Sequence, residues 1–96
     1  MNSKKRSKIE RELIAAFQSL EKEEEYYCFL RDLLSEAELS EIGRRWQAAQ
    51  LLDRKISYPE IITQTGLSST TIARISKWLK SGMGGYRLVL DRLHNH

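Results

Sequence analysis

The sequence holds little that could staple or interrupt a chain. Its 96 residues include one cysteine, one proline and five glycines. A lone Cys28 excludes an intrachain disulfide, and with it the class of small secreted scaffolds that fold around bridges. With Tyr26, Tyr27, Phe29 and Leu30 around it, Cys28 reads as a small buried apolar residue. So few breakers point to a mostly helical chain, and no segment has the alternation of a strand. No apolar run could span a membrane, and the basic N-terminus lacks the apolar stretch of a signal peptide, so a cytoplasmic location is expected. Acid is missing from one place in particular: no Asp or Glu occurs between Gln64 and Gly85.

The formal net charge is +3. Its distribution is uneven. The stretch to Leu20 sets Lys4, Lys5, Arg6, Lys8 and Arg11 against Glu10 and Glu12. From Glu21 to Glu41 the balance reverses, with acid outnumbering Lys22 and Arg31. From Arg54 to Arg87 only Glu60 opposes Arg54, Lys55, Arg74, Lys77, Lys80 and Arg87. A chain sorted in this way has one face suited to a polyanion and another that repels it. Catalysis has no support. His94 and His96 sit in a terminal tail with no acid or nucleophile in fixed relation to them, and neither they nor the acidic run forms a metal site. No enzymatic activity is expected.

Length implies a single domain over 1–96. A basic, flexible arm is expected over 1–8. Ile9, Leu13, Phe17 and Leu20 form the stripe of a first helix, and Tyr26, Leu30, Leu33 and Leu34 that of a second. Ser35-Glu36-Ala37-Glu38 has the form of a capping box, so a third helix starts there and carries Leu39, Ile42, Trp46, Ala49 and Leu52. Residues 9–53 thus read as a helical dimerisation core, since long apolar stripes in so short a chain call for a partner. Ser57-Tyr58-Pro59-Glu60 is a second capping box, with proline tolerated in the first turn. Ser68 caps a further helix that runs to Lys80, and residues 84–96 supply a last helix and tail. The expected class is all-α with about six helices.

Residues 57–80 have the organisation of a helix-turn-helix. Gly66 supplies the positive φ of the turn, and Leu67 plugs the space between the two helices. Ile61, Ile72, Ile75 and Leu79 are spaced to face the core, and Trp46 and Trp78 also fall on apolar stripes. The outward face of the second helix then carries Ser69, Thr70, Ala73, Arg74 and Lys77, with Thr71 at its edge. Short hydroxyl and methyl groups let a helix approach base edges closely, while Arg74 and Lys77 can meet guanine acceptors or phosphates. Double-stranded DNA is the expected partner. RNA is disfavoured because no aromatic stands on that face for stacking.

With its helix from Glu36, Gly43-Arg44-Arg45, Ser57 to Gly66, Ile72-Ala73-Arg74-Ile75-Ser76 and Gly84-Gly85-Tyr86-Arg87-Leu88-Val89-Leu90, the sequence resembles the Trp repressor superfamily. The resemblance is to its YerC/YecD-type, Trp-repressor-like branch and extends from about Glu12 to Leu93. It implies an intertwined homodimer that places two recognition helices in successive major grooves of a two-fold operator. The implied role is that of a DNA-binding transcriptional repressor. Ser68, Ser69, Thr70, Thr71 and Ala73 match the family's DNA-contacting positions.

Arg45 and Arg74 fall where the family holds its co-repressor, tryptophan. However, Ile75 stands where the Trp repressor has glycine, and Trp78 replaces a small hydroxyl residue. The resemblance therefore implies a vestigial pocket at Arg45, Arg74, Ile75 and Trp78, filled by protein. No cofactor is expected, with tryptophan or another small co-repressor as the alternative occupant. The rival to the whole reading is a dimeric helical protein-interaction module that keeps the helix-turn-helix as scaffold.

Overall fold

In the computed structural model, residues 5–94 are described, and they form six α-helices and no strand. These are α1 (Lys8–Gln18), α2 (Glu23–Leu33), α3 (Glu36–Asp53), α4 (Tyr58–Thr65), α5 (Ser69–Ser81) and α6 (Gly85–His94). The all-α expectation holds helix by helix. Length implied one domain over 1–96, but contacts divide the described chain into two compact units, residues 5–39 and 40–94, with the break inside α3.

Local chemistry fixes most helix starts. At α1 the Ser7 hydroxyl accepts from the Glu10 amide at 3.1 Å, and the Glu10 carboxylate accepts from the Ser7 amide at 2.8 Å. The helix thus begins inside the arm expected over 1–8, whose residues 1–4 lie outside the described residues, as do residues 95–96 of the tail. At α2 the cap position is Lys22, which has no acceptor, so only the carboxylate half of a box can form. Glu25 Oε1 accepts from the amides of Glu21 (2.8 Å) and Lys22 (3.2 Å). At α3 the predicted box closes in both directions, Ser35 N–H to Glu38 Oε1 at 2.9 Å and Glu38 N–H to Ser35 Oγ at 3.2 Å. Backbone bonds to the charged form hold the Glu25 and Glu38 carboxyls below their ordinary range.

Residues 5–39 bury no side chain: neither α1 nor α2 contains a buried residue. What packing exists is an edge-to-face contact of Phe17 with Phe29, ring centroids 5.3 Å apart. Phe29 thus packs where Tyr26 and Leu33 had been expected to, and both of those are exposed. Cys28 is exposed as well, contrary to expectation. At 100° per residue it lies on the face of α2 next to the Phe29 contact, where residues 5–39 offer it no cover.

Residues 40–94 contain a true core. Ala48, Ala49 and Leu51 of α3 pack with Ile61 of α4, Leu67 of the turn, and Ile72 and Ile75 of α5. The last third of α3 therefore serves the helix-turn-helix, and the span 9–53 is not one structural segment. Ala48 and Ala49 are small enough to let another helix approach closely. Each of the fully buried Ile61, Ile72, Ile75 and Leu90 contributes roughly 1.5–3 kcal/mol. Tyr86 of α6 stacks on Trp46 of α3 at 6.3 Å with planes 16° apart. Trp46 is half-buried, as its stripe predicts, but Trp78 is 46% exposed and outside the core.

Three residues have positive φ: Gly84, before α6, at φ 87, and two that end helices. Gly66 does so at φ 73, and its N–H donates to the Ile62 carbonyl at 2.8 Å to end α4. Lys55 does so at φ 65, as the only non-glycine with positive φ among the described residues. Its N–H reaches the Leu52 carbonyl at 3.0 Å, and the Ile56 N–H reaches the Leu51 carbonyl at 3.1 Å. This is the double hydrogen bond of a Schellman end, built on a lysine where glycine is the usual choice.

Candidate nucleic-acid interface

The surface presented by α4, the Gly66 turn and α5 is held from beneath by hydrogen bonds as well as packing. Thr65 is the one buried polar residue in the core, at 3% exposure. Its hydroxyl donates to the Ile61 carbonyl at 2.7 Å and accepts from the Leu67 amide at 3.2 Å. Both polar functions are satisfied, and the second bond anchors the residue after the glycine. Sequence reasoning passed over Thr65, although a hydroxyl directly before a helix-ending glycine can bond in this way.

Ser57 caps α4 by accepting from the Glu60 amide at 3.4 Å. The second capping box is formed on that side only, because the Glu60 carboxylate accepts from Gln64 Nε2 at 3.1 Å. Ser68 caps α5, accepting from the Thr71 amide at 3.1 Å and donating to Thr71 Oγ1 at 3.0 Å. Ser68 and Thr71 thus orient one another at the start of the second helix. Ser68 is exposed and Thr71 half-buried.

The predicted outward set is on one face. Ser69, Thr70, Ala73, Arg74 and Lys77 are all exposed, while Ile72 and Ile75 between them are only 0% and 1% exposed. The face carries two cations and three small side chains. A further cation sits at the turn: a Cβ on Gly66 would lie 3.7 Å from Arg44 Nη1. Arg44 was part of the family resemblance, but its place beside the turn is set by tertiary packing and has no sequence signal.

The four residues of the expected vestigial pocket stand in different environments. Ile75 is core. Trp78 is exposed on α5, so it does not fill a cavity in the chain described here. Arg45 is occupied by Glu41, Nη2 to Oε2 at 2.7 Å, and its buried Nε has no hydrogen-bond partner. Arg74 is exposed.

The chain matches the family model described as Trp repressor protein over residues 10–94. It belongs to the Trp repressor family. The YerC protein of Bacillus subtilis (strain 168) is 34% identical over 82 residues, which are 85% of this chain and 79% of the relative. A crystal structure described as a candidate Trp repressor from Staphylococcus aureus superposes with a TM-score of 0.86 at 32% identity. That match covers 93% of this chain and 89% of the other. A TrpR-like protein from Eubacterium eligens ATCC 27750 gives a TM-score of 0.88 at 30% identity, covering 93% and 92%. Membership makes α4 and α5 the helix-turn-helix of a family of DNA-binding transcription regulators, a regulator fold and not an enzymatic one. No helix among the described residues is long and apolar enough to cross a membrane.

Proposed function

We propose that this protein is a transcriptional regulator, acting as a repressor, that binds a two-fold operator as a homodimer through α4 and α5. The observation that carries the reading is the acid-free outward face of α5. Arg74 and Lys77 follow the small residues Ser69, Thr70 and Ala73, on a helix whose opposite side is anchored by fully buried isoleucines. In a major groove, such a helix brings its backbone close and two cations into reach of base edges and phosphates. Ser68 and Thr71 belong to the same contact at the helix N-terminus, where exposed amides favour a phosphate.

Dimerisation is supported by the helices that bury nothing. Ile9, Leu13 and Ile14 of α1, and Tyr27 and Leu33 of α2, all stand exposed. A second copy is the natural cover for stripes of this kind.

Binding does not depend on tryptophan in this reading. A tryptophan site at the family position needs space beside α5, where Ile75 is packed into the core, and it needs Arg45, which is paired with Glu41. The residues present do not fit that ligand. The deciding experiment is selection of bound sites from random duplex DNA, followed by titration of the selected site at several salt concentrations. The reading expects a palindromic site with half-sites about one helical turn apart, and affinity that falls steeply with salt. No enrichment, or salt-independent binding, would favour the interaction-module alternative.

A further inference from the structure

A cavity of about 570 Å³ lies in the 40–94 unit, and none of Arg45, Arg74, Ile75 and Trp78 lines it. Leu52, Ile56 and Leu79 give it an apolar floor. Its rim is cationic. Lys55 contributes from the left-handed turn after α3, and Lys80 from the last turn of α5. The hydroxyls of Tyr58 and Ser76 add two groups able to donate. The single acid in the lining, Asp53, is already paired. Its Oδ1 takes Arg87 at 2.9 Å, and its Oδ2 lies 3.8 Å from His94 Nδ1. The Lys55 and Lys80 side chains have no hydrogen bond or ion pair among the described residues, so the cavity mouth holds two uncompensated cations over an apolar base.

We infer that this cavity is a binding site for a small carboxylate with an aromatic or branched apolar body. Its volume falls in the range of ordinary small-molecule sites. The division of its lining matches such a molecule in two halves. The apolar body would cover Leu52, Ile56 and Leu79, and the carboxylate would take charge-assisted bonds from Lys55 and Lys80. The site is built from both helices of the helix-turn-helix region. Lys55 and Tyr58 come from the α3–α4 turn and the start of α4, whereas Ser76, Leu79 and Lys80 come from α5. Lys55 adopts a backbone conformation that favours glycine, which places a charged side chain at the rim where glycine would leave none.

The test needs no DNA and so is independent of the function proposed above. The full-length protein is titrated with 3-phenylpropionate while backbone amide shifts are followed by NMR. 3-Phenylpropanol serves as the neutral analogue. The expected result is saturable shifts at Lys55, Tyr58, Ser76 and Lys80, with half-saturation near 1 mM, as suits a ligand of this size. The alcohol should bind at least about tenfold more weakly, and Lys55→Ala with Lys80→Ala should weaken the acid by a similar factor. Circular dichroism establishes that the double variant is folded. If it is not, the acid-to-alcohol ratio on the wild type decides alone. Equal binding of acid and alcohol, shifts centred elsewhere, or no saturation by about 10 mM would each overturn the inference.

Discussion

Arg87 Nη2 donates to Asp53 Oδ1 at 2.9 Å, and this bond ties the first turn of α6 to the last residue of α3 across 34 positions of sequence. The same guanidinium sends Nε to Asp91 at 3.1 Å. The hydrogen bond to Asp53, ahead of the charges of Asp53 and Asp91, raises the Arg87 pKa above its usual value. In a double-mutant cycle, Arg87→Ala should lower the melting temperature in the wild type and have a smaller effect once Asp53 is alanine. Strict additivity would show that the pair does not hold α6.

The outward face of α5 predicts a specific pattern of loss. Arg74→Ala with Lys77→Ala should weaken operator binding by at least about 100-fold and reduce the salt slope by up to about 4 per dimer. The melting temperature should scarcely move, because both side chains are exposed. Fluorescence anisotropy over a salt series measures both quantities. Unchanged affinity would remove α5 from the interface.

Ile75 supports a pair of opposed expectations. Ile75→Ala should cost about 2–5 kcal/mol by urea denaturation, as for a fully enclosed aliphatic side chain. Tryptophan at about 1 mM should leave the backbone amide shifts around Arg45, Arg74 and Trp78 unchanged, since a ligand seated at the family's co-repressor position must perturb them. Shifts centred there would reopen that site.

Two turns with positive φ should respond in opposite senses. Lys55→Gly relieves the left-handed backbone and should stabilise the fold by about 1 kcal/mol. Gly66→Ala imposes the same strain and should destabilise it by about 1–2 kcal/mol, although no atom blocks the new methyl group. Thermal denaturation of the two variants tests both signs.

Acid should unpick the caps of α2 and α3. Glu25 and Glu38 are depressed by bonds that their charged forms accept, backbone bonds first in each case. A carboxyl whose folded pKa lies below its unfolded value adds stability that is complete above the unfolded pKa. That stability is lost as pH falls through the folded one, so the window lies below about pH 4. The helicity lost below about pH 4, followed by circular dichroism on acidification, should be larger in the wild type than in Glu38→Gln, whose neutral acceptor does not titrate. Superimposable curves would show that ionisation of this cap is immaterial.

Much of this was legible in the sequence because it is local. Ser35 with Glu38, Ser57 before Pro59, Gly66 and Ser68 each act within four residues, so all four fixed a helix end correctly. Of Ile61, Ile72, Ile75 and Leu79, placed on the core side by spacing, the first three are buried and Leu79 is half-buried, while Leu67 was placed by the turn. Tertiary choices were not legible. Periodicity put Trp78 on an apolar stripe, but it cannot tell which neighbour covers a stripe, and nothing in the described chain covers that one. Cys28 failed for the same reason. Lys55 gave no signal at all, since a lysine in the left-handed region is fixed by the two hydrogen bonds that close α3.

Helices α1 and α2 have no interior of their own. Whatever rigidity they possess must then be borrowed through association, and mass action governs anything borrowed in that way. Diluting the protein should loosen residues 5–39 before it disturbs the isoleucine core beneath the reading head. The amount of protein in solution would then set how much of each chain is ordered.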